Sequence, residues 1–121
     1  MVSIEDFKKL EIKVAKILEV NPHPAADRLY VVKISLGAAE SKNETTGEIT
    51  ITQDTREIVA GIRPYYTPEE LVGKQAIILV NLEPATIRGV RSNGMLLAAK
   101  DDDKLSILTL DRPVKEGSVI S

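Results

Sequence analysis

Early in this chain the alternation of apolar residues changes parity, and few strand arrangements tolerate that. Ile12 and Val14 flank Lys13 in ordinary strand alternation, yet the next strong apolar position is Ile17, of the opposite parity. Side chains of a strand alternate faces with a period of two, so the change needs one extra residue. It predicts a β-bulge near Ala15 and Lys16 that bends the strand sharply. Asn21-Pro22-His23-Pro24 then ends the strand. A second strand follows where Tyr30, Val32, Ile34 and Leu36 alternate with Lys33 and Ser35, ending at Gly37. Residues 38–48 carry few apolar side chains, and Ile49 and Ile51 then alternate with Thr50 and Thr52, so 38–55 reads as an extended hairpin or flap. Arg56 to Ala60 supplies a third core strand. The near-continuous apolar run Gln75 to Asn81 suits a strand covered on both faces. Gly94 to Ala99 and Leu105 to Leu110 complete the set, with a turn at Asp101-Asp102-Asp103 between them.

Helical signals are short. Ser3 and Asp6 give a capping-box-like start, and Ile4, Phe7 and Leu10 share one helical face, predicting a helix over residues 4–9. Thr67-Pro68-Glu69-Glu70-Leu71 offers an N-cap, a proline at the first helical position and a glutamate at the third, which predicts one helical turn. A bulged first strand, several short strands and two helical turns favour a small closed all-β barrel over a βαβ sheet.

The 121 residues fit one domain, 1–121, with no second core. There is no Cys and one His, which removes disulfides, thiolate metal sites, a Cys nucleophile and any zinc centre built on two or three His. With one Phe, three Tyr and no Trp, the core must be aliphatic and aromatic stacking scarce. The 16 Lys and Arg against 18 Asp and Glu leave a net charge of −2, so no global basic excess points to nucleic acid. No apolar run approaches the length of a membrane span, and the start lacks the apolar core of a signal peptide, so a soluble, cytoplasmic chain with no membrane partner is expected.

Most candidate sites have plainer readings. His23, between two prolines, has no nucleophile or base specified beside it and reads as a structural or surface histidine. Asp101-Asp102-Asp103 lacks the spacing of a calcium loop and reads as a solvated turn, so no metal site is expected. The scattered glycines match neither phosphate-binding glycine motif, so no nucleotide cofactor is expected either. The segment 81–95 differs in kind. A proline-containing loop leaves a buried strand, presents Arg88 and Arg91, and returns through Gly94 to an apolar strand. Such a loop can offer cations and backbone donors to phosphate while Ser92 and Asn81 reach base or sugar edges. Lys13, Lys16 and Lys33, expected on the outer faces of the first two strands, extend that surface. A connecting loop with ordinarily solvated cations fits the same residues.

A run of motifs in order then resembles a known family. Asp6-Phe7 leads into Ile12-Lys13-Val14-Ala15-Lys16-Ile17, and His23-Pro24-x-Ala26-Asp27-x-Leu29-Tyr30 and Ile58-Val59-Ala60-Gly61-Ile62 follow. Asn81-Leu82-x-Pro84 and Arg88-Gly89-x-x-Ser92-x-Gly94-Met95-Leu96-Leu97-Ala98-Ala99 complete the series. The whole resembles the tRNA-binding domain family. That family includes the C-terminal domain of methionyl-tRNA synthetases, its free-standing β subunit counterpart, the bacterial structure-specific tRNA-binding protein and the endothelial monocyte-activating polypeptide. The resemblance implies a five-stranded OB-fold barrel and binding of tRNA by shape and backbone, with no chemistry and no catalytic residue. It further implies a homodimer joined through the terminal segments, and a catalytic aminoacyl-tRNA synthetase subunit as partner. The family's binding residues transfer to Lys13, Lys33, Asn81, Arg88, Ser92 and Met95, with Gly94 permitting close backbone approach.

Two departures bear on affinity. Glu83 stands where the family usually carries Lys, and Thr86 where it often carries a second. The 38–55 segment exceeds the family norm and adds Glu40, Glu44, Glu48 and Asp54. An acidic homologue that keeps the fold and binds protein instead is the second expectation.

Overall fold

The computed structural model describes all 121 residues. Ser3 caps α1 (Ile4–Lys8), its hydroxyl accepting a hydrogen bond from the Asp6 N–H, as the sequence predicts. None of the helix is buried, so its apolar face lies open.

β1 (Ile12–Pro22) gives the sheet its curl. Residues Ile12–Lys16 pair antiparallel with β4 (Gln75–Leu79), and Lys16–Pro22 pair with β2 (Tyr30–Lys42). The bulge is not at Ala15 and Lys16. The register slips between Ile17 and Glu19, which makes Leu18 the extra residue. The apparent parity change has another cause: the first half of β1 is covered on both faces. Ala15 and Ile17 face the core, whereas Val14 pairs with Ile77 on the outer face and is buried there too. The C-terminal tail pairs with the edge of this half of β1 that β2 leaves free. Val14 N–H donates to the Ser118 carbonyl at 2.9 Å, and the Val14 carbonyl accepts from Gly117 N–H at 2.7 Å. Ile120 N–H reaches the Ile12 carbonyl at 2.8 Å.

β2 does not stop at Gly37. The register with β3 (Ile49–Ala60) breaks between Ser35 and Ala38, and the strand then runs on to Lys42. A side chain at Gly37 would put its Cβ 2.8 Å from the Glu116 carbonyl oxygen, and one at Gly117 would collide with the carbonyl of Leu36. The tail crosses the strand at this bulge, and glycine on both sides lets the two backbones touch. Beyond it, β2 and β3 form a two-stranded ribbon in which residues 38–42 and 49–53 are all exposed.

The five-stranded sheet runs β3-β2-β1-β4-β7, with β7 at Met95–Leu96. It curls until β3 meets the segment ahead of β7, where Asn93 N–H donates to the Glu57 carbonyl at 3.0 Å. Inside lies an aliphatic core in which Ile17, Val32, Ile34, Ile58, Leu71 and Ile78 are fully buried. α2 (Pro68–Leu71) delivers Leu71 to that core. Thr67 and Glu70 close a reciprocal capping box, which holds the Glu70 carboxyl below its ordinary pKa of 4.5, chiefly through the hydrogen bond from the Thr67 N–H. The strand expected over 94–99 divides at Leu97, whose N–H bonds the Ile77 carbonyl. β8 (Ala98–Asp101) then pairs with β9 (Lys104–Ile107), so the strand expected to Leu110 ends earlier. Asp102, at φ 49°, makes the predicted turn between them. No helix is long and apolar enough to cross a membrane.

Candidate nucleic-acid interface

The segment after β4 folds into a small hairpin of β5 (Ala85–Ile87) and β6 (Val90–Ser92). Its two-residue turn is Arg88-Gly89, with φ 52° and 87°. Positive φ at both central residues is what a type I′ turn demands and what the twist of paired strands favours. The hairpin thereby holds Arg88 at its tip, with Arg91 on its outer face opposite Thr86.

Two buried polar side chains fix this hairpin to the barrel. Ser92, 4% exposed, accepts from the Val59 N–H at 2.9 Å and donates to the Gly94 carbonyl at 3.2 Å. His23 holds the tip. Its Nδ1 accepts from the Ala25 N–H at 2.9 Å, so Nε2 carries the proton and donates to the Ile87 carbonyl, also at 2.9 Å. The histidine is structural, buried between the loop and the hairpin it joins.

The residues named from sequence separate into two groups. Lys33 and Arg91 line one polar cleft on the outer face of β1, β2 and β3, beside Asn93. Glu19 and Glu57 flank Lys33 as its register partners on either side, without reaching ion-pair distance. Arg56 at the cleft edge is held by Asp54 and by the Val80 carbonyl. Arg88 stands free at the hairpin tip. The other group lies elsewhere. Asn81 accepts from the Glu11 N–H and donates to the Lys9 carbonyl, tying α1 to the end of β4. Lys13 lies on the inward face with Ala15, not on the outer face, and is half-buried where it bridges Val119 in the tail. Met95 pairs with Leu79, itself opposite Ile12, and so stands in an apolar outer row. Gly94, at φ 138°, packs so tightly that a Cβ would lie 3.1 Å from the Leu79 carbonyl oxygen. Its close approach is to the barrel's own backbone.

The family model described as "Putative tRNA binding domain" matches residues 12–119. The chain belongs to the tRNA-binding domain family. The methionine–tRNA ligase of Thermococcus kodakarensis is 47% identical over 119 residues, 98% of this chain and 14% of that protein. That of Pyrococcus furiosus is 46% identical, also over 119 residues, 98% of this chain and 14% of that protein. The chain thus spans 14% of the length of these relatives. Among solved structures, a MetRS-related protein from Pyrococcus horikoshii superposes with a TM-score of 0.81 at 26% identity, covering 100% of this chain and 98% of that one. The CsaA chaperone protein from Picrophilus torridus gives 0.80 at 29% identity, with 100% of both chains covered.

In this tRNA-binding domain the geometry adds two cations that the sequence reading passes over. Arg28, in the loop after β1, faces the same hollow as Arg88. Arg63 donates from Nη1 to the Ala26 carbonyl in that loop at 3.3 Å. Neither sits in a run of basic residues, and only the fold brings 28, 63 and 88 to one end of the barrel.

Proposed function

We propose that this chain binds tRNA by shape and backbone contacts and assists an aminoacyl-tRNA synthetase, methionyl by likeness to its relatives, in trans. The observation that carries the reading is the β5–β6 hairpin, which projects Arg88 and Arg91 from the barrel with neither held in an ion pair. Phosphate contacts from such cations position a nucleic acid without reading its sequence. The module itself performs no chemistry, and the catalytic synthetase subunit is its partner. A homodimer through the terminal segments belongs to the same reading, supported by the open apolar residues Ile4, Phe7, Leu10 and Val119.

Binding of total tRNA, followed by filter retention across a salt series, tests the reading. Log affinity should fall against log salt with a slope of about −2 to −5, as a few phosphate contacts displace a few counterions. Tight binding indifferent to salt would remove the phosphate model. The second reading, a protein-binding homologue, draws on Glu19 and Glu57 beside Lys33 and on the acidic ribbon. Absence of tRNA retention at low salt, together with co-purification of a protein partner, would favour it.

A further inference from the structure

One end of the barrel carries a charge imbalance that the lateral cleft lacks. Arg28 and Arg88 face one shallow hollow with Asp27 as the only acid beside them, and Ala26 and Leu29 complete it. Arg63 lies behind the loop, its guanidinium on the Ala26 carbonyl, which also accepts from the Leu29 N–H at 3.4 Å. None of the three arginines makes an ion pair. Two arginines against one carboxylate leave the hollow net positive, with a third guanidinium, that of Arg63, behind it. On the flank, by contrast, Lys33 stands between Glu19 and Glu57.

Like charges held near one another repel, so an anion that sits between them gains from both. Guanidinium forks match the oxygens of phosphate, two at a time. The frame is also set before any ligand arrives. His23 ties the Ala25 end of the loop to the Ile87 end of the hairpin, so the supports of Arg28 and Arg88 form one unit. Ordering cost on binding is then confined to two side chains.

We infer that Arg28 and Arg88, backed by Arg63, form a notch that takes one backbone phosphate of a nucleic acid, separate from the Lys33–Arg91 flank. The inference rests on the tRNA-binding reading. It assigns a contact to the loop after β1, which no residue of the sequence-derived set occupies.

The test compares total-tRNA affinity and its salt slope for the wild type, Arg28→Ala, Arg88→Ala, the double variant and Arg91→Ala, with Arg28→Gln as a second truncation. Arg28→Ala is expected to weaken binding about threefold to tenfold at low salt and to flatten the slope by about 0.7 to 0.9, the loss of one phosphate contact. The double variant is expected to lose less than the product of the singles, because both lose the same phosphate. Asp27→Asn is expected to tighten binding. If Arg28→Ala and Arg28→Gln match the wild type in affinity and slope while Arg91→Ala binds weakly, the notch is overturned and the tRNA reading stands. A wild type that retains no tRNA at any salt overturns both.

Discussion

Ser92 shows how a residue can shape a binding surface without touching what binds. Its hydroxyl answers the Val59 N–H and the Gly94 carbonyl inside the barrel wall. Ser92→Ala would leave both unsatisfied in a buried place, which costs about 1 to 3 kcal/mol. Urea denaturation is expected to show that loss, with tRNA affinity falling only as far as the hairpin loosens. Glu83 is the opposite case, an exposed residue between β4 and the hairpin. Glu83→Lys exchanges repulsion of phosphate for attraction and is expected to strengthen tRNA binding by on the order of 1 kcal/mol at low salt, fading as salt rises. Unchanged affinity at low salt in a folded variant would put residue 83 away from the nucleic acid. What could be read from sequence at this scale followed the distance to each partner. Ser3 and Thr67 find theirs three residues on, and both caps were legible. Asn81 finds its partners 70 and 72 residues away, and Ser92 one of its own 33 away. The amide of Asn81 looked available because no neighbour in sequence uses it, and the Ser92 hydroxyl because its link to the Val59 N–H exists only in the fold.

At the scale of elements, α2 has four residues and stands through its cap. The Glu70 pKa is lowered in the fold, first by the hydrogen bond from the Thr67 N–H. Its charge therefore contributes stability above the unfolded value, and that contribution is lost as pH falls through the folded value. Glu70→Gln keeps a capping-box side chain and removes the charge. Urea midpoints are expected to differ between the two proteins at neutral pH and to converge in acid below the ordinary glutamate range. A gap that persists there would trace the difference to shape instead. The strands were legible where the apolar residues keep to one face, as Tyr30, Val32 and Ile34 do with exposed Lys33 between the last two. They misled where both faces are covered: the outer burial of Val14 mimicked a change of parity, and the true bulge at Leu18 stayed hidden. Gly37 looked like a stop because a glycine at φ 90° commonly ends a strand, whereas here it makes room for another segment.

The whole molecule leaves its apolar surface unevenly placed. Ile4, Phe7 and Leu10 near the start and Val119 near the tail are all more than a third exposed, at 62%, 37%, 47% and 68%. The proposed dimer would cover them, and Phe7→Asp is then expected to shift the sedimentation of a dimer to that of a monomer with the barrel intact by circular dichroism. A wild type that sediments as a monomer at micromolar concentration would dismiss that arrangement. The crossing of the tail over Gly37 has a bearing on time as well as shape. It joins Val14 to Gly117 and Ser118, about as far apart in sequence as this chain allows. Contacts across so long a loop are entropically costly to close and tend to form after the local pairings, so the tail should dock last and lift first. In hydrogen exchange the amides of Val14 and Ile120 should therefore open ahead of that of Val32 in the central strand, with the rest of the barrel still closed.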